Sequence, residues 1–521
     1  MTKSYDVIVI GAGHNGLVTA AYLAKAGRKV LVLERREIVG GAAVTEEVFP
    51  GFKFDTLAHF ASLRPEIARD LGVNVDYVGG ASGVFTPLPD GGHLLLDNGR
   101  SAESIGKFSK SDAEKYPKFI ALMKRFAAFL AEAQAMAPPH APNPQAGELL
   151  PLAGLGLKLK GLGDKDMIDL LRALPVSVAE LLDDWFETDA LKGTLGAQGI
   201  IGLTQGPMAA GTSYVMLHHL ALQNGLTHSG VVRGGIGKLT EALAGAAKGF
   251  GAEIRTGAEV AQIAVKDDRA TGVVLASGEE IAAKIVVSNA DPRRTFIGLV
   301  GAINLDTDFV RSVCNIKYRG ASAKVNLALD GLPQLSGVSG DSHLRGRISV
   351  SPSLIYLEKA YDDAKYGGVS QKPYLEVAIP SIADPSLAPT GNHVMSIYAQ
   401  YAPYHLKGGW NDRKREELGR RVVETLSEYA ASLPSLILHS QVLTPLDLEN
   451  TYDLTEGNAN HGEMMLDQLF VMRPVPGWAQ YRTPVDGLYL CGAGTHPGGG
   501  VSGLPGRNAA REILKDARGN A

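Results

Sequence analysis

Residues 5–43, YDVIVIGAGHNGLVTAAYLAKAGRKVLVLERREIVGGAA, constrain the fold more than any other stretch, because they spell one complete βαβ unit. Val7, Ile8, Val9 and Ile10 make a short apolar run of strand type, residues 11–16 a glycine-rich turn, residues 17–26 a compact helix, and residues 29–33 a second strand. In such a turn Gly11 permits the bend, Gly13 lets the backbone approach a diphosphate, and Gly16 lets the helix pack on the strand. The helix start at His14 and Asn15 offers free N–H groups to the same anion. Glu34 closes the second strand 18 positions past Gly16, where a carboxylate accepts hydrogen bonds from a ribose 2′-OH. The unit is thus expected to hold a dinucleotide whose adenosine ribose carries no phosphate.

A second glycine pair follows close behind that acid, in Arg35-Arg36-Glu37-Ile38-Val39-Gly40-Gly41-Ala42. The phrase GAGHNGLVTAAYLAKAG followed by ERREIVGGAAVTEEVFPGFKF resembles the phytoene desaturase family within the amine oxidase superfamily. Near the other end, residues 487–503, GLYLCGAGTHPGGGVSG, resemble the C-terminal flavin motif of the same family. The resemblance implies FAD as cofactor, with contacts from Arg35, Gly40, Gly41 and Ala42, from Gly492, Gly494, Gly500, Val501 and Ser502, and by motif position from the backbone of Val260 at the adenine. Physically the C-terminal motif is a strand, a glycine turn and a helix N-terminus, whose positive dipole end stabilises negative charge on a reduced flavin.

The implied fold is α/β: a Rossmann-type FAD-binding domain in three segments, residues 1–72, 230–300 and 475–521, with an inserted α+β substrate domain. Residues 73–229 are expected to be its mostly helical part and residues 301–474 its sheet. Composition agrees with a globular α/β chain of 521 residues, 45% hydrophobic and 20% charged. A formal charge of −4 argues against nucleic acid as a partner. Cys314 and Cys491 stand far apart without a CxxC pair, which excludes a redox dithiol, a disulfide framework and a cysteine metal cluster, so no metal site is expected. The first strand starts within a few residues of Met1, which leaves a cytoplasmic location as the expectation.

Along the chain, residues 103–136 show apolar spacings of three and four that predict a helix, and residues 137–147, APPHAPNPQAG, a linker. Residues 149–163, LLPLAGLGLKLKGLG, read as a buried loop, with peripheral contact at an anionic membrane surface as the alternative that leucines plus lysines allow. Residues 193–232 run for forty positions without one Asp, Glu, Lys or Arg, which predicts burial and an uncharged cavity lining, with Met216 inside it. A helix is expected over residues 208–223, placing His218 and His219 about 100° apart around it. Residues 253–255, 259–265 and 271–276 read as a small β-meander, and residues 284–292 as a strand ending in a turn. Strands are expected at 323–329, 347–350, 374–380, 394–401 and 436–443, and a charged amphipathic helix at 411–431.

These features predict an FAD-dependent oxidoreductase that takes hydride from a largely apolar small molecule. Without a second strand–GxGxxG–helix–acid unit, reoxidation falls to oxygen, a quinone or another small acceptor rather than a nicotinamide. Proton transfer alongside the hydride would need a general acid or base, for which His59, His461 and Glu463 are the candidates. Two alternatives remain open on the resemblance: a flavin-dependent isomerase or lyase without net redox change, and a non-enzymatic escort protein that binds lipidated partners.

Overall fold

The computed structural model describes residues 4–58, 61–79, 83–97, 99–223 and 230–519. The βαβ unit forms as its sequence dictates, with strand Ser4–Ile10, helix His14–Lys25 and strand Val30–Leu33. Both strands lie in the middle of a seven-stranded sheet, paired in parallel with Val7 opposite Val30 and Ile10 opposite Leu33. Glu253–Arg255 adds in parallel beyond Val30–Leu33, while Glu280–Ser288 adds in parallel on the other side of Ser4–Ile10 and carries Leu488–Leu490 beyond it. The five parallel strands therefore come from three separated stretches of chain.

Strand alternation divides the core. Val7, Val9, Val30, Val32 and Val287 face helices His14–Lys25, Gly237–Gly249 and Leu504–Gly519, whereas Ile8, Ile10, Leu31, Leu33 and Val286 face the antiparallel strands Val260–Lys266 and Arg269–Leu275. The meander expected over 253–276 thus loses its first strand. Glu253–Arg255 belongs to the parallel sheet instead, because Leu31 to Leu33 offer it a free edge in register.

A second seven-stranded sheet runs Ile437–Leu443, Ser322–Leu329, His393–Gln400, Tyr374–Ala378, Arg347–Val350, Val84–Pro87 and His93–Leu96. Its last two strands come from the region read as mostly helical. One face packs Val325, Leu327, Ile397 and Val377 against Leu418, Val422 and Leu426 of helix Asp412–Ser427. The opposite face is polar, because Lys324, Asn326, Ser396, Tyr398 and Glu376 take the alternate positions.

The helical insert corrects two further expectations. Residues 103–136 form two helices, Ser101–Gly106 and Lys110–Gln134, because Ser109 caps the second through the Asp112 N–H. Residues 149–163 are no buried loop: helix Ala146–Gly161 spans most of them without a single buried residue. A capping box between Gln145 and Glu148 starts the helix ahead of Pro151, Gly154 and Gly156. Among the described residues no helix is long and apolar enough to cross a membrane.

Candidate cofactor and substrate site

The C-terminal ends of the parallel strands open onto a cleft of about 760 Å³, lined by Gly11, Gly13, His14, Asn15, Glu34, Arg35, Gly41, Ala42, Val260, Asn289, His461 and Ala493, among others. This is where an open α/β sheet binds ligands. Gly11 leaves the first strand at φ 89°, and its N–H donates to the Leu33 carbonyl at 2.8 Å. Gly13 caps helix His14–Lys25, and a Cβ there would come 2.7 Å from Asn289 Nδ2. Gly16 touches the turn itself, since an added Cβ would lie 2.2 Å from the Gly11 carbonyl oxygen. Gly40 donates to the Ala12 carbonyl at 2.9 Å, which seats Gly41 against Gly13 and closes the turn from outside.

Glu34 accepts from the Ala12 N–H at 2.8 Å and from the Arg36 N–H at 2.9 Å, one through each carboxylate oxygen. Each oxygen keeps a lone pair for a ribose hydroxyl. The two arginines that follow diverge. Arg35 turns its guanidinium to the carbonyls of Asn450 and Thr451 and toward Asp453. Arg36, which sequence reasoning passed over, pairs with Glu46, stacks on Tyr452 and leaves Nη1 buried without a partner at the cleft.

The C-terminal motif meets the N-terminal one directly, because His14 Nε2 lies 3.1 Å from the Gly500 carbonyl oxygen. Burial, opposed by that contact, pulls His14 down to about 4, so the ring is neutral and can donate there. Val501 packs in the core, and buried Ser502 accepts the Arg64 N–H on its carbonyl while its hydroxyl receives the Leu504 N–H at 3.3 Å, at the start of helix Leu504–Gly519. Gly492 and Gly494 admit the ring of His461: a Cβ at Gly492 would stand 3.1 Å from its Nδ1, and one at Gly494 3.4 Å from its Cβ.

Of the acid–base candidates, His461 lines the cleft, while Glu463 points elsewhere. Its Oε1 accepts the Thr204 N–H at 2.7 Å and its Oε2 is held by Arg319. Burial pushes the Glu463 carboxyl up despite that partner. His59 lies outside the described residues. Sequence reasoning also missed Arg473, a buried guanidinium bonded to the carbonyls of Asn460, Gly462, Gln468 and Ala493. It missed Lys324 as well, fully buried on the polar face of the second sheet and drawn down to about 7 by burial, with Asp55 and Glu376 opposing. The only signal for Lys324 was its alternation, together with Asn326, with the apolar Val325 and Leu327.

Residues 193–223 lie between that sheet and the C-terminal loop. Gln198 meets Arg347, Gln400 donates to the carbonyls of Ile200 and Leu203, and His218 Nε2 lies 3.2 Å from the Gly499 carbonyl. The expected helix is Thr212–Gln223, and Met216 on it packs into the helical core with Leu217 and Leu220 rather than lining the cleft.

A glycine cradle that any Cβ would fill, a carboxylate at the second strand end and three buried polar atoms without protein partners, on Asn15, Arg36 and His461, fit a flavin dinucleotide. Fold and cleft together define a flavoprotein of the amine oxidase architecture. The chain belongs to the flavin containing amine oxidoreductase family, matched over residues 16–514, and is an FAD-dependent oxidoreductase. It is 39% identical to pyridine nucleotide-disulfide oxidoreductase domain-containing protein 2 of Rattus norvegicus, over 99% of this chain and 94% of that one. It is 30% identical to a limonene dehydrogenase component of Castellaniella defragrans, over 99% and 95% respectively. Phytoene desaturases are more distant relatives. An oxidoreductase from Methanosarcina mazei shares the fold, with a TM-score of 0.62 at 18% identity over 98% of this chain and 100% of that one.

Proposed function

We propose that the protein takes hydride from a small molecule with a largely apolar body and passes the electrons to oxygen, a quinone or another small acceptor. The observation that carries this reading is the uncharged layer of residues 193–223, set between the C-terminal glycine loop and the second sheet. A charged substrate body would lose its water against such a layer without gaining a counter-charge. The relative named limonene dehydrogenase points the same way, since limonene carries no charge.

FAD, when bound, supplies the two-electron acceptor for the hydride. The chain's own residues orient the cofactor and manage the proton. His461 in the cleft is the group this reading leaves for that proton, because Glu463 is committed to Arg319. The same reading places the protein in the cytoplasm, with Leu149, Leu150 and Leu157 of helix Ala146–Gly161 exposed to any bilayer surface it meets.

The test is anaerobic. Yellow holoenzyme is mixed with neutral terpenes and polyenes and with their carboxylate and amine homologues, and flavin absorbance is followed with product analysis. Bleaching by a neutral compound with one oxidised product per flavin supports the proposal. Conversion to an isomer without bleaching would favour flavin-dependent isomerisation instead, and bleaching by charged homologues alone would refute the apolar reading.

A further inference from the structure

Residues 437–443, ILHSQVL, form a strand with no Lys, Arg, Asp, Glu or Pro, and the fold puts that strand at an edge of the second sheet. A bare edge invites another strand, and proteins block such edges with charge, proline, shortness, bulges or a covering element. The opposite edge of the same sheet is blocked in this way. The Leu95 N–H donates to Ser104 Oγ at 2.8 Å and the Asp97 N–H to Ser101 Oγ at 2.9 Å, both hydroxyls coming from helix Ser101–Gly106. At the edges of the cofactor sheet, Glu253–Arg255 is three residues long with a charge at each end, and Val260–Lys266 carries two register shifts. Ile437–Leu443 has none of these guards over most of its length. Among the described residues it pairs with Ser322–Leu329 alone, and its one register shift lies at the Ile437 end, leaving His439 to Leu443 regular.

Beside this edge runs a groove of about 910 Å³ between the strand and helix Asp412–Ser427. Ile437 and Val442 of the strand, Gly419 and Val423 of the helix, and Pro434 make its apolar part. Gly419 lets the helix lie close, since an added Cβ would stand 2.8 Å from Val442 Cγ2. Ser440 sits opposite Leu327 and so shares the helix-side face, where it is exposed. The charges around the groove follow an order along the helix. Arg415 and Arg420 lie toward its start, Glu424 and Glu428 at and beyond its end, with Glu416 the exception. Arg420 and Glu424 bond each other at 2.6 Å yet both stay more than half exposed, while Arg415 and Glu428 hold Asp447 and Lys372.

We propose that this edge is the interface of a two-fold homodimer, in which Ile437–Leu443 pairs antiparallel with the same strand of a second copy and the two grooves close on each other. A two-fold axis makes every element meet its own copy in reverse order. The strand supplies the antiparallel backbone partner it lacks. The helix, reversed against its copy, sets the Arg415 and Arg420 end facing the Glu424 and Glu428 end, so the surface is complementary to itself in charge. Because these side chains already have partners, the charges fix orientation, and backbone pairing with burial of Val423, Ile437 and Val442 supplies the affinity. Growth stops at two copies, because the far edge of the sheet is capped by its serines. The proposal is independent of the substrate and of the flavin chemistry.

The test is sedimentation velocity of the holoenzyme, expected to show a dimer at about 50 µM. Ser440→Lys places an ammonium group from each copy beside the axis and is expected to raise the dimer dissociation constant about tenfold or more, with flavin content unchanged. Cysteine scanning locates the axis in a Cys314→Ser background, which removes the exposed native thiol. Full overlap of the strands centres on Ser440, and overlap of their regular part on Gln441. Residues directly opposite in an antiparallel pair have Cα atoms about 4.5–5.5 Å apart, within reach of a disulfide, so Ser440→Cys or Gln441→Cys is expected to oxidise to a covalent dimer. The crosslink decides the matter if the lysine variant misfolds or stays dimeric. A wild-type holoenzyme that is monomeric at about 50 µM, or a dimer that neither cysteine links, would overturn the proposal.

Discussion

Gly13 and Gly16 occupy one turn, and replacing each by alanine should separate cofactor binding from folding. At Gly13 the backbone has φ −64° and ψ 164°, open to any residue, and an added Cβ would come 2.7 Å from Asn289 Nδ2, the end of a side chain that can swing aside. Alanine at this N-cap costs a few tenths to about 1 kcal/mol, partly offset by the ~0.4–1 kcal/mol that Gly→Ala gains through the unfolded chain. At Gly16 the Cβ would lie 2.2 Å from the Gly11 carbonyl oxygen, which is backbone and must move by about 1 Å to reach ordinary contact distance. Overpacking of that kind costs about 1–3 kcal/mol or more. Gly13→Ala is therefore expected to keep the wild-type apo midpoint and yet to put a methyl group where the diphosphate meets the backbone. Losing one or two charge-assisted hydrogen bonds there weakens FAD by about 2–3 kcal/mol, roughly 30- to 150-fold. Gly16→Ala should lower the apo midpoint itself. Calorimetry of the apo-proteins and FAD titration read the two effects independently. A Gly13→Ala protein within about threefold of wild-type affinity, or a Gly16→Ala apo-protein as stable as Gly13→Ala, would refute the division of labour.

Buried neutral histidines make stability fall in acid. His218 and His496 are lowered by burial from 6.5 to about 3 and about 4, so the unfolded chain takes up their protons first; the stability they confer is complete above about pH 6.5 and is lost as pH falls toward those folded values. At pH 5.5 each costs about 1.4 kcal/mol, together ~3 kcal/mol, and an apo midpoint that stays flat from pH 7.5 to 5.5 would contradict this. Met216→Asp, at a position 1% exposed within the helical core, should cost several kcal/mol and melt the insert; a normally folded variant would show that the core there is open to water. Leu150→Asp and Leu157→Asp, 82% and 70% exposed, should leave the midpoint unchanged and reduce sedimentation with anionic vesicles relative to wild type; equal sedimentation would remove helix Ala146–Gly161 from any membrane contact.

The parts of this protein that were legible in its sequence are those where local chemistry and fold coincide. Residues 7–10, the glycine turn and Glu34 carry strand, bend and acid within one short stretch, so their arrangement needed no knowledge of distant chain. The strands of the second sheet were legible for the same reason where alternation was strong, as in 323–329 and 394–401. Val84–Pro87 and His93–Leu96 were not, because each is four residues long and becomes a strand only through pairing with Arg347–Val350 or with its neighbour. Arg36 and Arg35 are adjacent and chemically identical in sequence; only the carbonyls of Asn450 and Thr451, more than four hundred residues away, decide which guanidinium is tied down by backbone.

The charge-poor stretch shows a subtler limit. Its uncharged composition described the layer it forms but not the surface that layer covers. Lys324 and Asn326 alternate with Val325 and Leu327, so the period of two was visible, yet a strand's pattern does not say which of its faces turns toward the rest of the molecule. Helix Asp412–Ser427 claims the apolar face, and that leaves Arg347, paired with Glu376, to meet Gln198. An uncharged segment therefore packs on a charged sheet, with the Gln198 side chain meeting Arg347 of the Arg347–Glu376 ion pair and the Gln198 carbonyl held by His219. For the proposed reaction, the insert offers a substrate no fixed charge, while Arg347 and Glu376 of the sheet already hold each other, so neither side brings a free counter-charge to a charged body.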